Sequence, residues 1–323
     1  MNNNIQIKTD KKIIIGVSAC LLGAKVRFDG GHKRNSYIDE KLSEHFNFSS
    51  YCPEVAVGMS VPREPIRLVD DNGNIRVLGT RDASVDYTEK LSDHGKKVAS
   101  TIEYLRGFIF KKDSPSCGME RVKVYADTGM PERKGTGVFA AEVMKQNPLL
   151  PVEEEGRLND HVLRENFINR VYVYDRWLSL IATGVSKARL IDFHTRHKYL
   201  ILSHHQQIYR ELGRALSQVD RNDVKEFSSY YIEAVMKALK KPANRKTHAN
   251  VLQHLLGFLR SCLDSEDRAE LLDSIRSYSR GEYPLVVPLT LLQHHFRRNP
   301  HRFASQQVYL NPHPRELMLR NLI

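Results

Sequence analysis

The stretch Ile13-Ile14-Ile15-Gly16-Val17-Ser18-Ala19-Cys20, "IIIGVSAC", decides the fold. It opens as a β-branched run, compact enough for a buried strand, and ends in small residues and a cysteine. Working outward, "YIDEKLSEHF" (37–46) is compatible with a helix and "FNFSSY" (46–51) with a weakly patterned second strand. "DYTEKLSDHGKKVASTIEYL" (86–105) places Leu91, Val98, Ile102 and Leu105 on one helical face. "LRGFIF" (105–110) reads as a third strand, "GVFAAEVMKQNP" (137–148) as a helix, and "LLPVEEEG" (149–156) as a fourth strand ending in acids. Strands alternating with helices predict an α/β domain with a mainly parallel sheet and flanking helices. "DDNGNIRV" (70–77) carries a hairpin signal and is expected to be a small insertion.

The period then changes. The segments 158–181, 187–216, 224–241, 246–263 and 265–281 all show helical spacing. Asp223 and Ser265 are expected helix N-caps and Gly281 a helix stop. The expected organisation is an α/β domain over 1–155 and an all-α domain over 156–323.

The chain has 323 residues, 41% hydrophobic and 27% charged, ordinary values for a soluble protein with cores of its own. No apolar run is long enough to span a bilayer. The opening "MNNNIQIKTDKK" has no apolar segment of the kind that secretory signals carry, so the cytoplasm is the expected compartment. Net charge is +11, of which residues 151–323 hold +7, together with 11 of the 14 histidines. A basic, histidine-rich second half is compatible with a polyanionic partner and equally with mere solubility.

Four cysteines are present: Cys20, Cys52, Cys117 and Cys262. In a reducing compartment they are not expected to pair. Cys262 lies in a helical pattern and reads as an ordinary small residue. The others sit in "SACLLG", "YCPEVAVG" and "SPSCG", each after a strand. In a parallel sheet those positions share one edge, where ligands bind. Three uses remain open for such a trio: a zinc site, although no CxxC pair is present; a nucleophile with a resolving thiol; and an iron–sulfur cluster with one iron left open.

"VSACLLG" with "RFDGGHKRN", then "CPEVAVGMSVPREPIRL", then "KKDSPSCGM", resemble the thiouracil desulfidase family, in that order and at similar spacing. The stretches "HTRHKYLILSHHQQIYRELGRAL", "KTHANVLQHLLGFLR" and "YPLVVPLTLLQHHFRRNP" resemble the helical domain fused to desulfidases that act on 4-thiouridine in tRNA. The resemblance implies a [4Fe–4S] cluster on Cys20, Cys52 and Cys117, with one iron open to the thiocarbonyl sulfur. It implies hydrolytic, non-redox exchange of sulfur for oxygen at C4. Glu54 matches the family's acid/base and Ser114 a serine beside the active site, although Ser114 and Ser116 also suit a turn cap, and Glu54 an ion pair with Arg63 or Arg67. Arg27, Asp29, Lys33, Arg34, Asn35, Arg63, Glu64, Lys111, Lys112, Asp113 and Ser116 are polar residues of the same blocks that would position a nucleotide. "RKGTGVF" (133–139) looks like a Gly-rich turn opening a helix, a phosphate-binding form.

"RHKYL", "HHQQIYR", "KKPANRKTHAN" and "HHFRRNPHRF" interleave bases with histidine and aromatics, which suits thiolated tRNA as partner, with some of the histidines in the core. No protein partner is implied. The alternatives are desulfidation of free thiouracil or thiouridine, and a non-catalytic iron–sulfur RNA-binding sensor.

Overall fold

A computed structural model describes residues 12–126, 130–219 and 223–323. The polar stretch 1–11, on which the reading of the N-terminus rests, lies outside the described residues. The chain divides into two compact units, Met1–Leu158 and Asn159–Ile323. No helix among the described residues is long and apolar enough to cross a membrane.

The first unit is α/β, as the alternation predicts. Strands β1 (Ile13–Ser18), β2 (Phe46–Tyr51), β5 (Gly107–Phe110) and β8 (Val152–Glu154) form a parallel sheet in the order β2-β1-β5-β8. The chain leaves β1 toward one side for β2 and returns to the other side for β5. The order therefore reverses between β1 and β5, and the carboxyl ends of those two strands border the crevice where such sheets bind ligands. Helices α2 (Thr88–Ala99) and α3 (Val138–Gln146) bury Leu91, Val98, Phe139, Ala140 and Val143. Phe139 meets the rings of Phe108 and Phe110 edge-on. A short α1 (Pro53–Ala56) starts directly after Cys52.

The segment 37–46 is helical without being an α-helix: a wide turn Tyr37–Lys41 runs into a 3-10 turn Leu42–Glu44. The hairpin is more than an insertion. Strands β3 (Ile66–Asp71) and β4 (Asn74–Gly79) join β6 (Val122–Tyr125) and β7 (Glu132–Gly135) in a second sheet, order β4-β3-β6-β7, in which only the β3–β6 pair is parallel. Leu68, Val77, Leu91, Val122 and Val124 form its core.

The second unit is helical: α4 (His161–Ala182), α5 (Lys187–His204), α6 (Gln206–Gln218), α7 (Val224–Lys240), α8 (Arg245–Gly257), α9 (Ser265–Arg280), α10 (Val286–Arg298) and α11 (Arg302–Ser305). The segment 187–216 is two helices, not one. His205 takes an extended conformation between them, and its Nδ1 accepts from the N–H of Ile208 to cap α6. Asp264, not Ser265, caps α9 by accepting from the N–H of Asp267. Asp223 stands at the N-cap of α7 without a side-chain bond, and Gly281, left-handed, ends α9. Trp177, Phe193 and Tyr231 pack together in this unit's core.

Candidate functional site

Three loops leave the carboxyl edge of the parallel sheet, and each carries a cysteine. Cys20 lies in the 3-10 turn Ala19–Leu22 that follows β1. Its carbonyl accepts from the N–H of Lys33, which folds the polar loop back over the turn. Cys52 directly follows β2 and stands at the N-cap of α1. Cys117 lies in the loop after β5. Together they line a cavity of about 570 Å³. Cys262 stands in the other unit, exposed.

The Cys117 loop is held by the start of α3. Val138, Ala140 and Gly137 donate their N–H groups to the carbonyls of Pro115, Ser116 and Gly118. A helix start leaves such donors free, and here "RKGTGVF" spends these three on the loop, where the sequence reading expected a phosphate-binding turn. A Cβ on residue 137 would stand 2.5 Å from the carbonyl carbon of Ser116, so only glycine permits this approach.

Of the three consecutive acids at the end of β8, Glu154 and the following Glu155 fix the same loop. Glu155 binds Lys111 Nζ at 2.5 Å and the N–H of Lys112 at 2.8 Å. Glu154 accepts from the N–H of Met119, and Glu153 pairs with Arg157. The N–H of Lys111 is bound by Ser18 Oγ, a buried cavity residue that the sequence reading did not single out.

Glu54, on α1, faces this cavity. Its Oε2 pairs with Arg63, whose Nε lies at 3.1 Å and whose Nη2 is closer still. Its Oε1 accepts from Ser116 Oγ at 2.6 Å. Ser116 and Ser114 hydroxyls lie 3.0 Å apart. Ser114 Oγ also accepts from the N–H of Cys117 at 3.1 Å. Ser114 lines the cavity and caps the turn at once, whereas Ser116 is fully buried behind it.

The remaining expected residues separate by place. Arg27, Lys33, Lys111, Lys112, Asp113 and Arg63 line the cavity. Arg63 is committed: besides Glu54 it binds the carbonyls of Ser60 and Val26. Arg27 lies 3.4 Å from Asp29 and over the Phe28 ring. Arg34 is not brought to the cavity; it pairs with Asp39 and Glu40. Asn35 caps the turn at Ile38, and Glu64 accepts from the N–H of Asp82. The second sheet adds a wall the sequence did not announce: Arg67 over the ring of Tyr125, Lys123, and Arg133 bound to Asp113 at 2.9 Å.

Burial pushes the Cys20 thiol up to about 11, against the opposing charges of Lys111 and Arg27, and also raises Cys52 and Cys117. An activated thiol nucleophile carries the opposite shift, whereas a metal centre deprotonates its thiol ligands regardless. Among the described residues no three His, Cys, Asp or Glu side chains form a group that would hold a single metal ion. The thiols instead surround a volume, and their softness suits iron–sulfur or other soft centres.

The family model described as 2-thiouracil desulfurase matches residues 15–155, and one described as a protein of unknown function (DUF1722) matches 198–314. Over 153 residues the chain is 33% identical to the uncharacterized protein YbgA of Escherichia coli (strain K12), covering 47% of this chain and 90% of that one. It is 31% identical over 153 residues to the uncharacterized protein YbbK of Bacillus subtilis (strain 168), covering 46% and 99%. A solved structure described as the [4Fe-4S]-dependent thiouracil desulfidase TudS is 29% identical, covers 46% of this chain and 93% of its own, and superposes with a TM-score of 0.37. All three blocks that carry the cysteines fall inside the first matched region, and the chain belongs to the 2-thiouracil desulfurase family.

Proposed function

We propose that this protein holds a [4Fe–4S] cluster on Cys20, Cys52 and Cys117 and hydrolyses the C–S bond of 4-thiouridine in tRNA, releasing sulfide and leaving uridine. The observation that carries the reading is one cavity lined by three cysteines from three loops, with no fourth among its lining residues. When bound, such a cluster supplies an iron without a protein ligand, a Lewis acid for the thiocarbonyl sulfur.

The chain's own groups supply the rest. Water adds to C4 of the ring, and Glu54 accepts its proton. Oxygen from water replaces sulfur, which departs as hydrogen sulfide, so no net electron transfer occurs. Arg63 pairs with Glu54 Oε2 and holds the carboxylate aimed at the cavity. Because Ser116 donates to Glu54, the Ser114 hydroxyl is free to donate to Ser116, which links the cavity wall to the carboxylate through two hydroxyls. Lys33, Arg67 and Lys123 add positive charge to the cavity wall, suited to the phosphates of a nucleotide. A base in folded tRNA must be extruded to reach such a cavity, and the +7 charge of residues 151–323 suits a domain that grips the rest of the RNA.

A second reading, free thiouracil as substrate, is favoured by the descriptions of the matching family model and of the solved relative. One experiment separates the two. Anaerobically reconstituted full-length protein is incubated with thiolated tRNA and, separately, with 4-thiouracil. Loss of the thiouridine absorbance with equimolar sulfide is expected for tRNA, and loss of iron and activity in Cys20→Ser, Cys52→Ser and Cys117→Ser. Turnover of the free base alone replaces the substrate. A colourless zinc protein, or tight RNA binding with no sulfide released, overturns the enzyme.

A further inference from the structure

Within the helical unit, α5 and α6 meet at His205 and enclose a cleft of about 500 Å³. Lys198, Arg210 and Arg214 line it, and no carboxylate does. The acids of the same two helices are engaged: Asp192 pairs with Arg196, and Glu211 accepts from Gln207 Nε2. Lys198 Nζ rests 4.4 Å from the centre of the Phe303 ring, a contact that holds its chain while leaving its charge uncompensated by an acid. Arg210 and Arg214 stand one helical turn apart on one face, two planar forks suited to successive phosphates.

The floor of the cleft is a glycine in the middle of a helix. Gly213 lies inside α6, where glycine is among the poorest helix formers. Among the described residues, and leaving aside the backbone of its own helix, the only heavy atom within 4 Å of the place its Cβ would occupy is His194 Nε2, at 4.0 Å. A side chain would fit the free protein and would fill the cleft. His194 Nδ1 faces the hydroxyl of buried Tyr231 at 3.2 Å, which leaves Nε2 to the cleft side.

We infer that the α5–α6 cleft is a binding site for the sugar–phosphate backbone of RNA. Lys198, Arg210 and Arg214 neutralise phosphates, and bare Gly213 lets the strand lie against the helix. Tyr209, on the cleft wall, supplies a face for a sugar or base. The choice of RNA as the polyanion rests on the tRNA reading above; the cleft's anion-binding character rests on its own residues.

The test is fluorescence anisotropy of the full chain with a labelled, unmodified tRNA transcript across a salt series. Arg210→Gln with Arg214→Gln is expected to weaken binding about tenfold near physiological salt. The slope of log K against log salt is expected to shrink by about 1.5, the value for two lost phosphate contacts. Gly213→Leu is expected to raise the thermal midpoint yet weaken binding at least fivefold, a pair of effects that a merely structural role would not give. Wild-type affinity and salt slope in the double variant overturn the cleft while leaving the desulfidase reading standing. Cleft-dependent tRNA binding without any sulfide release does the reverse.

Discussion

Glu54 has two carboxylate oxygens and gives each a different partner. Oε2 takes the Arg63 guanidinium, which is nearly buried, and Oε1 takes the Ser116 hydroxyl. The charge is thus compensated on one side and connected to the cavity on the other. The two serines are not equivalent in this scheme. Ser116→Ala removes the hydroxyl between Ser114 and Glu54 but keeps the ion pair. Sulfide release is expected to fall about 10- to 100-fold, within the usual range for proton transfer, with iron content unchanged. Ser114→Ala takes the acceptor from the N–H of Cys117, at a cost of about 1–2 kcal/mol, and is expected to lower iron content as well as rate. Colorimetric iron and sulfide assays on both variants decide it; a Ser116→Ala protein that turns over at the wild-type rate would falsify the relay. Ser114 enters through the resemblance of "KKDSPSCGM", and its turn-cap bond is local enough for sequence to suggest. The link from Ser116 to Glu54 is not, because the two lie 62 residues apart and only the fold joins them.

At the level of elements, the site is a set of loops tied to a rigid edge, and β8 does much of the tying. Glu155 is almost wholly buried and holds both the ammonium of Lys111 and the N–H of Lys112. Glu155→Ala leaves the Lys111 charge with little solvent and no acid, and is expected to cost about 2–4 kcal/mol. Urea denaturation of the full chain measures it, and the iron content of the same protein should fall because Cys117 rides on that loop. A stability within about 0.5 kcal/mol of wild type, the ordinary scatter of surface substitutions, would show that the loop does not depend on β8. The sequence betrayed β1, β5 and β8 because buried parallel strands are short apolar runs between turns. It concealed β6 and β7: "VKVY" is only four residues long, and "ERKG" has no apolar alternation at all. The break at His205 was equally hidden. No Gly or Pro marks it, and the helical spacing resumes at once on the far side. "VEEEG" read as a strand running into acids, but that those acids grip the cysteine loop is a long-range fact that local pattern does not carry.

On the scale of the whole molecule, the buried histidines among the described residues all lie in the helical unit, which makes that unit sensitive to acid. Burial pushes His194 down to about 4 and His197 and His248 down to about 3, with the charges of Lys198, Arg176 and Arg320 respectively acting in the same direction and Glu165 opposing at His248. In an unfolded chain these rings titrate near about 6.5. Their folded values lie below the unfolded one, so the unfolded state binds more protons as pH falls below about 6.5, and stability falls with it until the folded values are reached. Three such rings give a slope of about 4 kcal/mol per pH unit. Glu165 adds a later loss. Burial would raise its carboxyl, but His313 at 3.9 Å and Arg320 at 3.0 Å hold it well below the usual carboxylate range. That contribution is full above the unfolded value of about 4.3 and disappears as pH falls below it. The chain has one tryptophan, Trp177, packed on Phe193 and Tyr231 in this unit, so its fluorescence reports the helical unit alone. The urea midpoint read from Trp177 is expected to drop steeply between pH 6.5 and 5. His197→Gln should flatten that slope by about one proton, or about 1.4 kcal/mol per pH unit. A midpoint that stays level from pH 7 to 5 would mean that these histidines are protonated in the folded protein, and the account of its core would fail.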